Sequence, residues 1–205
     1  MKPLAASSAS VTTAILAGGA GTRFGGIDKG LVELHGRPLV EWVIAALPVA
    51  LHGRLLIVAN RNIERYARHA QTICDAQPGH AGPLAGIAAA LQACESPWLF
   101  TVPVDCVAAP PGLLDRLWQE AARCGDNALV AHDGTRRQPL FALYRSRLAE
   151  SAALSLQRDA GVSRWQDAIH AREVDVSGLA GTWTNVNSPA DLADIPMNGN
   201  GSRRG

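Results

Sequence analysis

A short β-branched and apolar run, Val11–Leu16, breaks off into a glycine-rich stretch, and this junction constrains the fold more than any other feature of the chain. Such a run marks a buried strand feeding a tight loop, and similar units follow. Arg37–Leu47 carries Leu39, Val40, Val43, Ala46 and Leu47 at helical spacing and is closed by Pro48. Leu55–Ala59 reads as a strand, Ile63–Ala70 as a short helix and Thr72–Asp75 as a brief strand. Leu84–Cys94 is an alanine-rich helix behind Gly82-Pro83, and Trp98–Val104 is a strongly apolar strand. Pro110-Pro111 then opens a helix whose Leu113, Leu114, Leu117, Trp118 and Ala121 share one face until Gly125. Such alternation requires an α/β fold with a mainly parallel sheet covered on both faces.

The rhythm changes at Ala128. Ala128–Ala131 and Pro139–Tyr144 flank Asp133-Gly134, which predicts an antiparallel hairpin element with a loop longer than two residues. Leu148–Leu156 and Val162–Ile169 read as helices and Glu173–Val176 as extended. Ser188-Pro189-Ala190-Asp191 has a serine cap, proline at the first helical position and an acid at the third. A chain of 205 residues is the size of one domain. We expect that domain over 11–197, with a flexible segment at 1–10 and a disordered tail at 198–205.

Charge and composition narrow the function. Nineteen Lys and Arg against 18 Asp and Glu leave a net charge of +1, which disfavours a nucleic-acid partner. Hydrophobic residues at 47% supply a sizeable core, and no apolar run approaches the roughly 18 residues of a membrane span. The serines and threonines after Lys2 argue against a signal peptide. Cys74, Cys94, Cys106 and Cys124 form no CxxC pair and are expected to be buried free thiols in a reducing cytoplasm.

The chemistry concentrates in Leu16–Gly30, LAGGAGTRFGGIDKG. Glycines let backbone N–H groups approach phosphate oxygens, and Arg23 and Lys29 supply positive charge. The stretch fits neither the P-loop pattern nor GxGxxG, and a flexible loop with solvated cations is the plainer alternative. Asp105 ends an apolar strand, where a carboxylate faces the ligand cleft and suits Mg²⁺, or else caps the loop or helix that follows. Gly82–Gly86 is a tight turn opening a helix, offering N–H groups or simply initiating the helix. Asn185 and Asn187 alternate around Val186, so their amides share a side and are candidates for substrate binding. Arg136 and Arg137, in the hairpin loop, are either solvated charges or ligands for a substrate phosphate. The six histidines have no ligand-spaced partners and read as surface or packing residues.

LAGGAGTRFGGIDKGLVELHGRPLVEWV resembles the opening signature of nucleotidyltransferases that move an NMP onto a phosphate, most closely the molybdenum cofactor guanylyltransferases. VANR (58–61), CDA (74–76), GPLAGI (82–87), VPVD (102–105), HDGTRRQPLFALY (132–144) and TNVNSP (184–189) follow in the family's order. The resemblance implies a Rossmann-like three-layer fold and transfer of GMP from GTP to Mo-molybdopterin with Mg²⁺, releasing pyrophosphate. It implies that Leu16, Ala17, Gly18 and Gly19 meet the nucleotide with Lys29, that Gly82, Pro83 and Leu84 border it, and that Asp105 holds the metal. Asp75 matches a family acid near the nucleotide or is a turn residue. Val58 stands where the family has asparagine, leaving Asn60 as the nearest polar substitute, and Val104 and Cys106-Val107 replace the family's residues around the acid. On this reading the substrate that Asn185 and Asn187 could bind is the pterin. A molybdoenzyme or its chaperone would receive the product.

Other readings stay open. LAGG favours guanine over cytosine by resemblance, so a cytidylyltransferase of the same cofactor is the nearest alternative. A sugar 1-phosphate nucleotidyltransferase shares GTRFGG but is usually longer. A non-catalytic nucleotide-binding accessory module would not need Arg23, Lys29 and Asp105 together.

Overall fold

The computed structural model describes residues 10–18, 24, 26–75 and 82–195. Seven strands form its central sheet: β1 (Val11–Leu16), β4 (Leu55–Val58), β5 (Gln71–Ile73), β6 (Trp98–Pro103), β8 (Ala128–His132), β9 (Arg137–Arg145) and β10 (Arg172–Asp175). Their order across the sheet is β10-β8-β9-β6-β1-β4-β5. β1 pairs in parallel with β4 and β6, β4 with β5, and β10 with β8. β9 alone runs antiparallel, between β6 and β8. The expected α/β class with one antiparallel element is the architecture found.

Alternation along the strands divides the core into two layers. Val11, Ile15, Ile57, Phe100, Val102 and Leu143 face α1 (Leu39–Ala46) and α4 (Leu113–Cys124). Ala14, Leu16, Leu56, Val58, Leu99 and Tyr144 face α3 (Pro83–Ala93), α5 (Ala149–Gln157) and α6 (Val162–Ala168). Every residue of β1 and β6 is buried, which is why both read as continuous apolar runs. Trp165, fully buried, anchors the second layer and donates its indole N–H to Ser151 at 3.2 Å. Truncating it to alanine would cost about 3–5 kcal/mol.

The helix expected from Arg37 begins instead at Leu39. Arg37-Pro38 (β3) pairs with Glu33-Leu34 (β2) around His35 and Gly36, both at positive φ (52° and 74°), the turn chemistry that closes a tight hairpin. Expected ends elsewhere shift by a few residues; α2 is the short Ile63–Tyr66. A second small pair, β7 (Cys106–Ala108) against β11 (Thr184–Asn185), was not foreseen. With α7 (Pro189–Asp194) it forms a third cluster in which Phe24, Leu34, Leu39, Val107 and Val186 are buried together. This cluster brings the C-terminal segment to the carboxyl end of β6.

Candidate active site

Parallel strands that end together leave a crevice beyond their carboxyl ends, and here it is a cleft of about 250 Å³. Eight of the residues singled out in the sequence line it: Leu16, Ala17 and Gly18 after β1, Lys29, Asp75 after β5, Gly82 and Pro83 at the start of α3, and Asp105 after β6. Gly19 and Arg23 lie outside the described residues, as do His80, residues 1–9 and the tail from 196.

The chemical centre is an ion pair. Lys29 Nζ donates to Asp105 Oδ2 at 2.8 Å and, more weakly, to Asn187 Oδ1 at 3.4 Å. The two side chains of the pair remain 23% and 30% exposed, so a ligand in the cleft can reach both. Asp105 keeps its place through the backbone as well, because its carbonyl accepts the Val186 N–H at 2.8 Å. That bond ties the end of β6 to the segment carrying Asn187. Asn187 is set by α7: Ser188 and Asp191 form a reciprocal capping box, and Asp191 also accepts the Asn187 N–H at 2.5 Å. Those hydrogen bonds from the Asn187 N–H and from Ser188 hold the Asp191 carboxyl below its usual range. Asn185 is exposed and is not among the cleft-lining residues.

On the other flank, Asn60 and Asp75 meet across the ends of β4 and β5. The Asn60 amide donates to the Asp75 carboxylate, and the Asp75 N–H returns to Asn60 Oδ1 at 3.1 Å. Burial raises the Asp75 carboxyl above its ordinary value, opposed by the Asn60 hydrogen bond. Gly18 lies beneath this pair; a Cβ there would sit 3.7 Å from Asp75 Oδ2.

Several expectations need correcting. Leu84 is 1% exposed and turns into the core against the sheet, so its side chain does not border the cleft. Arg137 lies in β9 and is not an unpaired loop charge, since it pairs with Asp167 at 2.6 Å and Glu173 at 2.7 Å. The cysteines are free, but Cys74 is exposed, while burial and the neighbouring Asp105 push the Cys106 thiol up to about 12. Val58 and Gly86 also line the cleft. A Cβ on Gly86 would lie 3.4 Å from Val58 Cγ1 and 3.5 Å from Leu16 Cδ2, so glycine lets α3 pack closely over both strands.

Leu140 was missed altogether. Between Val130↔Ala142 and Ala131↔Gln138 the register of β8 and β9 shifts, leaving residues 139–141 to arch out of the ladder. Pro139 has no N–H to contribute there. Its carbonyl accepts from Gln166 at 2.8 Å, and that of Leu140 accepts from Thr101 at 2.9 Å. The arch places Leu140 in the cleft wall. The proline at the head of the strand-like run 139–144 was the one local signal.

Among the described residues no three His, Cys, Asp or Glu side chains group closely enough to cage a metal ion. The carboxylates that line the cleft are Asp75 and Asp105, and each is an oxygen donor that could meet a hard cation together with phosphate oxygens and water.

Residues 13–174 match the MobA-like NTP transferase domain family. A molybdenum cofactor guanylyltransferase of Vibrio cholerae is 39% identical over 182 residues, covering 88% of this chain and 89% of the relative. One from Yersinia pseudotuberculosis is 39% identical over 183 residues, covering 88% and 92%. The molybdopterin-guanine dinucleotide biosynthesis protein A of Archaeoglobus fulgidus superposes with a TM-score of 0.72 over 89% of this chain and 95% of its own, at 24% identity. A 2-C-methyl-D-erythritol 4-phosphate cytidylyltransferase of Thermus thermophilus does so at 0.60, over 88% and 94%, at 20% identity. At those identities the structural likeness shows a shared nucleotidyltransferase fold.

Proposed function

Because the chain belongs to the MobA-like NTP transferase family, we propose that it transfers GMP from GTP to the terminal phosphate of Mo-molybdopterin. An oxygen of that phosphate attacks the α-phosphorus of GTP, the bond to the bridging oxygen of the β-phosphate breaks, and pyrophosphate leaves with the electron pair. The product is the guanine dinucleotide form of the cofactor, passed on to a molybdoenzyme or its chaperone in the cytoplasm.

The observation that carries this reading is the Lys29–Asp105–Asn187 contact at the mouth of a cleft lined by strand ends and the start of α3. Two phosphate groups repel each other, so the site must supply positive charge and hold the attacking oxygen in line. Lys29 provides an ammonium whose attraction grows as charge builds on the leaving pyrophosphate. Ala17 and Gly18 allow the nucleotide to approach the backbone, and the Asn60–Asp75 pair presents donor and acceptor groups on the nucleotide side. Asn187, with Asn185 beyond it, stands on the side where the pterin phosphate would enter. Asp105 would hold Mg²⁺, and the ion would supply positive charge to the phosphate oxygens.

The test is incubation with Mg²⁺, Mo-molybdopterin and each NTP in turn, with the dinucleotide read by mass spectrometry. Faster formation of the guanine product supports the assignment. A faster cytosine product from CTP would overturn it.

A further inference from the structure

Two acidic residues among the described ones are buried, Glu120 and Asp28. Glu120 sits between Arg116 and Arg123, each 2.9 Å away, in an ion-pair arrangement within one helix. Asp28 is held differently. Its Oδ1 accepts from the Tyr66 hydroxyl at 2.5 Å and its Oδ2 from the Asn62 amide at 3.1 Å. Packing alone does not call for a carboxylate at this position, because burying one costs free energy that an apolar side chain of similar size would not. What the carboxylate adds is two acceptors at a fixed angle, which orient the backbone that carries it.

That backbone is the segment leading into Lys29, and other contacts bear on it. Arg61 donates to the Gly26 carbonyl at 3.1 Å. The Leu31 N–H donates to the Asp28 carbonyl at 3.0 Å, and the Val32 N–H to that of Lys29 at 3.1 Å, closing a tight turn around Lys29. Gly30 lies so close to Tyr66 that a Cβ would be 2.4 Å from the hydroxyl oxygen. Tyr66 is fully buried, and burial with the adjacent carboxylate keeps its phenol protonated and therefore a donor. Asn62 adopts the left-handed conformation (φ 51°), which asparagine tolerates better than most residues.

We propose that Asp28 is a positioning residue for Lys29: clasped by Tyr66 and Asn62, it fixes the backbone beside the lysine so that the ammonium is delivered to Asp105 and to the phosphates of a bound nucleotide. The second half of this statement rests on reading the cleft as a GTP site. The first half concerns the unliganded protein alone.

The chain has two lysines, Lys2 and Lys29, so amine labelling read by peptide mass spectrometry reports Lys29 against an internal reference. Tyr66→Phe removes one hydrogen bond and no bulk of the ring, and Asp28→Asn replaces one acceptor. In both variants, checked as folded by their urea midpoints, the Lys29/Lys2 labelling ratio should rise at least threefold over wild type. Tyr66→Phe carries the test should Asp28→Asn fail to fold. An unchanged ratio overturns the proposal.

Calorimetry of Mg²⁺-GTP binding to wild type, Tyr66→Phe, Lys29→Ala and the double variant supplies the second reading. Tyr66→Phe should weaken binding about tenfold when Lys29 is present and less than twofold when it is absent. Equal losses in both backgrounds would mean that the clasp acts on the fold and not through Lys29, which also overturns the proposal. Should wild type neither bind nor use GTP, the proposed function fails, and the labelling ratio still decides the role of Asp28.

Discussion

Asp105 and Asn187 reach Lys29 from supports of opposite kinds. Asp105 follows β6, which is buried along its whole length and registered with β1 at six consecutive positions. Asn187 follows β11, a two-residue strand with a register shift, and precedes the six-residue α7, none of whose residues is buried. By burial and pairing, the first support belongs with the parts of a fold that open last, and the second with those that open most readily. The groups assigned to phosphate and metal chemistry thus sit beside rigid backbone, while the amide assigned to the second substrate sits on backbone that can yield.

Changes beside the sheet should therefore fall on turnover with the fold preserved. Lys29→Ala should lower kcat/KM for GTP by roughly 10²-fold or more, about 3 kcal/mol of transition-state stabilisation. Its urea stability should change by no more than about 1 kcal/mol, as for other partly exposed ion pairs. Asp105→Ala should abolish Mg²⁺-dependent turnover while leaving the far-ultraviolet spectrum unchanged, because the Asp105 carbonyl still accepts from Val186. Near-normal rates in either folded variant would remove that residue from the chemistry.

Loosening the other support should give a different signature. Ser188→Ala removes the cap of α7, a loss of about 1 kcal/mol in local stability. The expected result is a severalfold rise in KM for the pterin substrate, KM for GTP within twofold of wild type, and faster amide exchange confined to α7 and the residues beside it. A matching rise in both KM values would show that the two supports are not independent.

How much of this the sequence disclosed follows from the range of the interactions involved. β1, β6 and α4 are legible because burial on both faces of a strand, or along one face of a helix, leaves a local apolar pattern. The cleft residues after those strands are legible for the same reason. The capping box of α7 is also local and is read directly from Ser188 and Asp191. Leu140 was hidden because an arch in β9 exists only relative to the register of β8. Arg137 was misread because its partners, Asp167 and Glu173, are 30 and 36 residues away. Asp28 looks like one polar residue in a glycine-rich loop until Tyr66, 38 residues on, is seen to hold it. The β7–β11 pair is too short to leave any pattern at all.

The smallest effect tests the nucleotide flank against the rest of the sheet edge. Burial raises the Asp75 carboxyl above its ordinary 3.8, so the folded protein resists ionising it more than the unfolded chain does. A carboxyl raised on folding costs nothing while both states are protonated. Its cost grows as pH climbs from the unfolded pKa through the folded one and stays in place above that. Asp75→Asn removes the titration while keeping an acceptor for the Asn60 amide, and it leaves the backbone bond from residue 75 to Asn60 intact. The variant should match wild type near pH 3 and melt slightly higher at pH 7, with a gain under about 1 kcal/mol because the site is partly open to water. Carboxyls held low elsewhere, such as Asp133 and Asp175, titrate identically in both proteins and cancel in the difference. Thermal melts of the pair across pH 3–7 check the sign. A difference that is constant over that range would mean that folding leaves the Asp75 pKa where it was, and one that favours wild type at neutral pH would mean that the carboxylate is stabilised by its surroundings; either outcome removes the penalty inferred from burial.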